Sequence, residues 1–184
     1  MALKSTIFKA ELGIADIDRG YYRDHALTIA RHPSETDERM MLRLLAFALH
    51  ADDALTFGRG LSTDDEPDLW QRDPTGAVQR WIEVGLPEER EVRKACGRAS
   101  EVQVLAYGGR AVDIWWQGAR ERLDLQDRLG VREVPLEASR ALANLATRSM
   151  RLQFTIQEGH VLVANDRTSV SLDIGVRKAL AVTR

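Results

Sequence analysis

Cysteine and long apolar runs are scarce in this chain of 184 residues, and each scarcity narrows what the protein can be. The single cysteine, Cys96, cannot form an internal disulfide, which suits a reducing compartment, so we expect a cytoplasmic protein. No apolar run is long enough to cross a bilayer, and the N-terminus lacks the apolar segment of a signal peptide. These absences predict a protein that neither crosses a membrane nor depends on disulfides.

The charge composition excludes fewer classes of protein than the scarcity of cysteine and of apolar runs does. The 26 basic residues nearly balance the 28 acidic ones, and this excludes a uniformly basic nucleic-acid coat but leaves room for a local basic patch. Length and an apolar content of 44% suit one domain, residues 1–184, with a sizeable core. Arginine dominates the basic residues, and the only lysines are Lys4, Lys9, Lys94 and Lys178. Chemistry that needs a lysine therefore has few candidates.

Hydrophobic periodicity predicts β-hairpins at both ends of the chain. Alternating apolar residues around a turn at 16–20 predict a hairpin over residues 3–31. The C-terminal part predicts strands at 152–157, 161–164 and 170–174, separated by Glu-Gly and Asn-Asp turns. Helices and strands alternate in the segment between these hairpins.

This central segment predicts an α/β unit. Its first helix has Ser34 as its N-cap and Asp37 where a capping-box acid belongs. The predicted order is helix 34–50, strands 54–57, 69–70 and 78–84, helix 87–100, strand 102–107, helix 110–122, strand 131–134 and helix 136–148. No phosphate-loop or dinucleotide-binding glycine motif is present. The pattern therefore predicts a mixed sheet covered by helices.

Acidic residues beside two of these strands are the strongest indication of chemistry. Four acids occupy residues 64–68, and the last of them, Asp68, directly precedes a strand. Glu83 lies in an otherwise apolar strand, where a carboxylate must find a partner, shift its pKa or bind a cation. If the two strands are neighbours, Asp68 and Glu83 come close, and such oxygen ligands suit Mg²⁺ or Mn²⁺. The ion could activate water and hold a phosphate.

Glu38 is the third candidate, because it falls on the apolar stripe of the first central helix and should point toward the sheet. Each acid also has a structural explanation. The acids at 64–66 suit a solvated loop, Asp68 suits a turn cap, and Glu83 or Glu38 could pair with an arginine. The four histidines show no metal-ligand spacing, and neither order nor spacing indicates a Ser–His–Asp arrangement.

Several long motifs make the chain resemble the YaeQ family of bacterial proteins along nearly its whole length. They are RHPSET (31–36), RMMLRLLA (39–46), DDEPDLW (64–70), WIEVGLP (81–87), KAC (94–96) and IWWQ (114–117). The order of helices and strands around Glu38, Asp68 and Glu83 also looks like the core of PD-(D/E)XK nucleases. The resemblance implies an α/β, restriction-endonuclease-like fold, with an αβββαβ core at about 34–107, a mixed sheet and additional N- and C-terminal β-hairpins.

The nuclease resemblance implies a catalytic site. In it Asp68 and Glu83 would hold Mg²⁺ or Mn²⁺, and Glu38 would add a third carboxylate. The nuclease pattern expects a lysine two residues after Glu83 to position the attacking water, but this chain has Gly85 there. Lys94, early in the next helix, is the best substitute, although a helical wheel places it opposite the apolar face, toward solvent.

Two functions remain open from the sequence. One is metal-dependent cleavage of nucleic-acid phosphodiesters, which the three acids favour. The other is a catalytically inactive module of the same fold, which the glycine in the lysine position favours. Such a module would bind nucleic acid through arginines such as Arg90, Arg93 and Arg98, or would bind another protein.

Overall fold

The computed structural model describes residues 3–59 and 65–181, which form two mixed β-sheets and four helices. The strands are β1 (Thr6–Asp16), β2 (Tyr21–Arg31), β3 (Leu55–Phe57), β4 (Leu69–Arg72), β5 (Val78–Val84), β6 (Ala99–Tyr107), β7 (Leu129–Val134), β8 (Ser149–Gln157), β9 (His160–Ala164), β10 (Ser169–Asp173) and β11 (Gly175–Lys178). The helices are α1 (Asp37–Leu49), α2 (Glu89–Cys96), α3 (Arg110–Leu123) and α4 (Leu136–Ala143).

One sheet, which we call the hairpin sheet, joins the two ends of the chain in the order β10-β9-β8-β1-β2. β1 pairs antiparallel with β2 and parallel with β8. Alternate residues of β1 are buried, as expected for a strand with one face on the core. The hairpins predicted at the two ends are therefore present, and they share one sheet.

The other sheet, which we call the core sheet, has the order β11-β7-β6-β5-β4-β3. Its three central strands, β5, β6 and β7, are parallel, whereas β3, β4 and β11 pair antiparallel with their neighbours. The carboxyl ends of the parallel strands therefore meet at one edge of the sheet. The start of β4 lies at the same edge.

Helix α1 lies between the two sheets, and this explains why its side chains are buried nearly all round. Every residue from Met40 to Leu49 is buried. The helix contacts β1 on one side, β4 and β5 on the other, and α4 beside it. A helix enclosed in this way needs apolar residues on every face, and α1 has them except at Arg43.

The opposite face of the core sheet has its own apolar core with α2 and α3. Val92, Cys96, Val112 and Trp116 are buried there against strands β6 and β7. Among the described residues, no helix is both long enough and apolar enough to span a membrane.

The start of α1 differs from the predicted one. Its N-cap is Thr36, whose Oγ1 accepts the Arg39 N–H at 3.1 Å. Ser34 lies in the preceding turn, where its hydroxyl is 2.7 Å from His32 Nδ1. Both residues are good N-caps by type, so the sequence could not distinguish them.

The ends of two helices and one additional strand also differ from the prediction. α2 ends at Cys96 rather than near residue 100, because Gly97 follows it and Ala99 already pairs with Val78 of β5. α4 ends at Ala143 rather than at 148. Strand β11 was not predicted, and it pairs with the free edge of β7.

Gly58 lies in the β3–β4 connection, close to the backbone of Pro67 and Asp68, and replacing it tests how much this close packing contributes to stability. Its N–H donates to the Asp68 carbonyl oxygen at 2.9 Å, and a Cβ at this position would lie 1.9 Å from the Pro67 carbonyl oxygen. We expect Gly58→Ala to lower the free energy of unfolding by about 1–3 kcal/mol in urea denaturation, because the backbone has to move. Gly118→Ala in α3 is the control. A Cβ there meets nothing within 4 Å, and helix propensity predicts a gain of about 0.5–1 kcal/mol. Equal effects at the two sites would contradict this.

Candidate functional site

Asp68 and Glu83 come together at the edge of the core sheet where the parallel strands end. β4 and β5 pair antiparallel with Leu69 opposite Ile82, so one step further along Asp68 stands opposite Glu83. Asp68 is buried and Glu83 is partly buried. The pairing of β4 with β5 therefore brings the two acids together, as expected for neighbouring strands.

Four side chains of alternating charge connect α1 with this edge of the core sheet. We call them the charge ladder: Arg43 and Arg39 of α1, Glu35 before the helix, and Asp68 before β4. Arg43 donates through Nε and Nη2 to the two carboxylate oxygens of Glu35, at 2.8 and 2.6 Å. Arg39 donates to Glu35 Oε1 at 2.9 Å and to Asp68 Oδ1 at 2.6 Å. The other oxygen of Asp68 accepts the Val84 N–H at 2.7 Å. Both Asp68 oxygens therefore have partners.

Sequence reasoning missed the two arginines of this ladder. Glu35, Arg39 and Arg43 follow each other at intervals of four residues, which is the spacing of one helical face. Arg43 also interrupts an otherwise apolar helix. These two signals predict a buried ion network at this face, and they were available before the structure.

Glu83 has fewer partners than Asp68. Its Oε1 accepts the Trp81 indole N–H at 2.8 Å, and within the described residues Arg39 forms no ion pair with it inside 4 Å. Burial, and then the neighbouring Asp68 carboxylate, raise the pKa of Glu83 to about 8. At neutral pH Glu83 is therefore mostly protonated, and this lowers the repulsion within the pair.

Gly85 occupies the position of the expected lysine for a backbone reason. Its φ is +120°, in the left-handed region, while its N–H donates to the Leu105 carbonyl oxygen at 3.0 Å. A Cβ would have room, since the nearest atom is Tyr107 Cε1 at 3.9 Å, but residues with a side chain rarely adopt this φ. Conformation, rather than lack of space, therefore disfavours a lysine at residue 85.

Lys94 and Glu38 each bind groups outside the acidic pair. Lys94 is exposed, as the helical wheel predicted, and its Nζ lies 3.3 Å from Asp65 Oδ1. The Glu38 carboxylate is partly buried and lies 2.5 Å from the Ser139 hydroxyl of α4. Asp64, the first of the four acids at 64–68, lies outside the described residues.

A Ser–His–Asp chain of hydrogen bonds lies on the hairpin sheet, although neither order nor spacing indicated one. His160 Nδ1 is 2.8 Å from Asp173 Oδ1, and its Nε2 is 3.0 Å from Ser171 Oγ. The antiparallel pairing of β9 with β10 places His160 opposite Asp173. All three residues are exposed, with the Asp173 side chain 88% accessible. Nucleophilic catalysis is favoured in a site that excludes water, so we assign no catalytic role to these three hydrogen-bonded residues.

The two carboxyl groups at the sheet edge fit one divalent cation by their chemistry. Mg²⁺ is commonly bound by one or two carboxylates and completes its shell with water and substrate phosphates. No group of three or more His, Cys, Asp or Glu side chains is arranged to hold a metal ion in the described part of the chain. A cation at Asp68 would compete with Arg39 for the same oxygen atom.

The fold and this edge define the class of protein: a mixed α/β protein with two mixed sheets, a buried helix between them and an acidic pair at one sheet edge. A sequence model of the YaeQ protein family matches residues 1–174. Curated proteins of Salmonella typhi and Escherichia coli (strain K12), each described as "Uncharacterized protein YaeQ", are 46% and 45% identical over 174 residues. The match covers 95% of this chain and 96% of each relative. The chain belongs to the YaeQ family.

Two solved structures have the same fold. The YaeQ protein from Xanthomonas axonopodis pv. citri superposes with a TM-score of 0.93 at 52% identity, covering 95% of this chain and 99% of the other. The YaeQ protein from Pseudomonas syringae superposes with a TM-score of 0.91 at 36% identity, covering 95% and 97%. The predicted resemblance to this family is therefore confirmed in sequence and in structure.

Glu83→Gln tests the protonation of the pair. The folded-state pKa of about 8 lies above the ordinary value of 4.5, so the folded protein keeps a proton that the unfolded chain loses. The stabilisation from this proton is complete below about pH 4.5 and is lost as the pH rises through about 8. Glutamine does not titrate. We therefore expect the variant to gain on the order of a few kcal/mol relative to wild type between acidic and alkaline pH.

Guanidinium denaturation at about pH 5 and about pH 9 measures this gain. Glu137→Gln is the matched control, because Glu137 is an exposed residue of α4 with one loose ion pair. We expect its stability to stay within about 0.5 kcal/mol of wild type, because an exposed ion pair contributes little. A stability difference between Glu83→Gln and wild type that is the same at both pH values would contradict the raised pKa of Glu83.

Proposed function

We propose that this chain has the restriction-endonuclease-like fold of PD-(D/E)XK proteins and cleaves nucleic-acid phosphodiesters with a divalent cation held by Asp68 and Glu83. The observation that supports this most is the pair of carboxyl groups on neighbouring strands. The element order α1, β3, β4, β5, α2, β6 agrees with the αβββαβ order of that core.

The surroundings of Glu83 support a cation site over a purely structural role. A carboxyl group buried beside a carboxylate costs stability, and the described residues give Glu83 one hydrogen bond, from Trp81. An apolar side chain would suit this place in β5 better. A carboxyl group with a strongly raised pKa beside a second carboxylate is typical of functional sites. A divalent cation would relieve the repulsion and favour the ionised form of Glu83.

Each proposed site residue has a distinct part in this function. Asp68 and Glu83 hold Mg²⁺ or Mn²⁺, which when bound stabilises charge on the phosphate. Arg39 supplies the positive charge nearest to the pair. Glu38 and Lys94 contribute only after their side chains leave Ser139 and Asp65, so we assign them supporting parts.

A cleavage assay on single- and double-stranded DNA and RNA, with Mg²⁺ or Mn²⁺ and with a chelator, tests the proposal. We expect cation-dependent cleavage that falls by at least about 100-fold in Glu83→Gln and in Asp68→Asn. Glu83→Gln is the cleaner variant, because Asp68 also ends the charge ladder. Lys94→Ala should change the rate less than about threefold, since its ion pair is exposed.

Glu137→Gln serves again as the control and should cleave like wild type. Circular dichroism establishes that each variant is folded. Failure of wild type to cleave any substrate would refute the proposed activity. Equal rates for wild type and a folded Glu83→Gln would refute the proposed site.

A catalytically inactive binding module is the second candidate, and the Arg39–Asp68 ion pair favours it. At 2.6 Å, Arg39 already neutralises the carboxylate that a cation would need. The backbone at Gly85 also disfavours the lysine of the nuclease pattern. Such a module would bind nucleic acid through exposed arginines in and just after α2, which are Arg90, Arg93 and Arg98, or would bind another protein.

Calorimetry with Mn²⁺ separates the two candidates. Binding that disappears in Glu83→Gln supports the enzyme, whereas no binding to wild type or to Arg39→Gln supports the module. For the module, affinity for nucleic acid that falls steeply with salt indicates phosphate contacts. If the chain instead captures a protein, and salt does not weaken the capture, the module binds a protein partner.

A further inference from the structure

An aromatic and basic surface continues from the acidic pair along strands β4 and β5. Side chains two residues apart on a strand share a face, so Trp70 and Arg72 follow Asp68 on one face of β4. Trp70 stands opposite Trp81 of β5. The Trp81 indole N–H donates to Glu83, so this tryptophan lies on the same face as that acid. The two tryptophans therefore come directly after the two acids on the core sheet.

The guanidinium of Arg72 is stacked on the indole ring of Trp70, and we call these two side chains the stacking platform. Arg72 Cζ lies 4.0 Å from the ring centre, which places the cation over the face of the ring. Trp81 contacts the same indole edge-on, with ring centroids 6.1 Å apart and an interplanar angle of 86°. Trp70 is partly buried, whereas Arg72 is exposed. The two tryptophans therefore support a flat guanidinium that faces solvent.

Arg72 has no acidic partner that explains its position. Its guanidinium forms no hydrogen bond or ion pair with any residue that the structure describes. The acid next to it in the chain, Asp73, instead accepts hydrogen bonds from Thr75 Oγ1 at 2.6 Å and from Gln79 Nε2 at 2.9 Å. The five N–H donors of Arg72 remain available, and phosphate oxygens are strong acceptors for such donors. The stacking platform therefore combines a flat surface with a positive charge.

A nucleotide with an unpaired base fits both properties of the platform. The bases of single strands stack on aromatic rings and on arginine planes, whereas the bases of a duplex are already stacked on one another. An apolar peptide would leave the charge of Arg72 without a partner. Four residues separate Asp68 from Arg72, which is about 13 Å along a strand, and a few nucleotides of an extended single strand span this distance. The platform and the acidic pair can therefore contact the same nucleic-acid strand.

We propose that Trp70 and Arg72 bind one unpaired base of a single-stranded nucleic acid, with the base on the guanidinium plane and an adjoining phosphate at its N–H edge. This inference rests on the proposed nuclease function, and it names single-stranded nucleic acid as the substrate. Neither side chain of the platform holds the divalent cation. The contact therefore forms without a metal ion, and binding can be measured separately from cleavage.

Fluorescence anisotropy of the full chain with labelled DNA and RNA oligonucleotides, each as a single strand and as a duplex, tests the proposal. A chelator is present throughout, so that no cation-dependent cleavage occurs. We expect wild type to bind a single strand at least about fivefold more tightly than the duplex, because only the single strand offers a free base face. Arg72→Ala should lower the affinity for the single strand at least about fivefold, since it removes the stacking plane.

Two further variants separate stacking from charge. Arg72→Lys keeps the charge but lacks the plane, so its affinity should lie closer to that of Arg72→Ala than to that of wild type. Arg167→Ala is the matched control, at an exposed arginine in the turn before β10, and it should bind like wild type. Circular dichroism establishes that each variant is folded, which we expect because both arginines are exposed.

The proposal is overturned if wild type binds no single strand, or binds single strand and duplex equally well. Wild-type affinity in Arg72→Ala or in Arg72→Lys would overturn it as well. Failure of the proposed nuclease activity is distinguishable from these outcomes. Wild type that binds single strands through Arg72 but cleaves nothing with Mg²⁺ or Mn²⁺ would refute the nuclease activity and leave the platform supported.

Discussion

The charge ladder from Arg43 through Glu35 and Arg39 to Asp68 is the interaction on which the arrangement of this protein depends. Because α1 is enclosed by two sheets, Arg43 is only 3% exposed and has to be neutralised inside the protein. Glu35 neutralises it, and Arg39 continues the alternation to the edge of the core sheet. Removing one member of a buried ion network typically costs about 3–5 kcal/mol, because a charge is left uncompensated. The ladder thus fixes α1 relative to β4 and to the segment before the helix.

The same ladder explains why the two acids at the sheet edge differ. It brings one arginine to Asp68, whereas Glu83 has a single indole donor and a carboxylate opposite it. At neutral pH the Asp68 carboxylate is ion-paired, and the neighbouring Glu83 carboxyl group is mostly protonated. Two neighbouring carboxyl groups in different environments are used in acid–base catalysis. Any cation that binds there competes with Arg39 for Asp68 Oδ1. The same oxygen atom would therefore both bind the cation and hold α1 against the edge of the core sheet.

Local patterns predicted most elements because the causes of those elements are local. The alternation in β1 and the apolar run of β5 each suffice for a strand, and β5 has the predicted bounds, Val78–Val84. The ends of elements were wrong where distant contacts decide them. α2 stops early because the chain must reach β5, and β11 exists because β7 offers a free edge. The closeness of the acidic pair was predictable, because it follows from the antiparallel pairing of adjacent strands.

The sequence by itself determined the family, the order of the helices and strands up to β10, and the two carboxyl groups that could carry chemistry. Tertiary structure alone decided that Arg39 binds Asp68 and that Lys94 binds Asp65, since each pair is separated by 29 residues in the chain. It also decided the backbone angle of Gly85. The physical reason is that apolar periodicity is written along the chain, whereas the partner of a charge depends on distances that exist only after the apolar faces have packed.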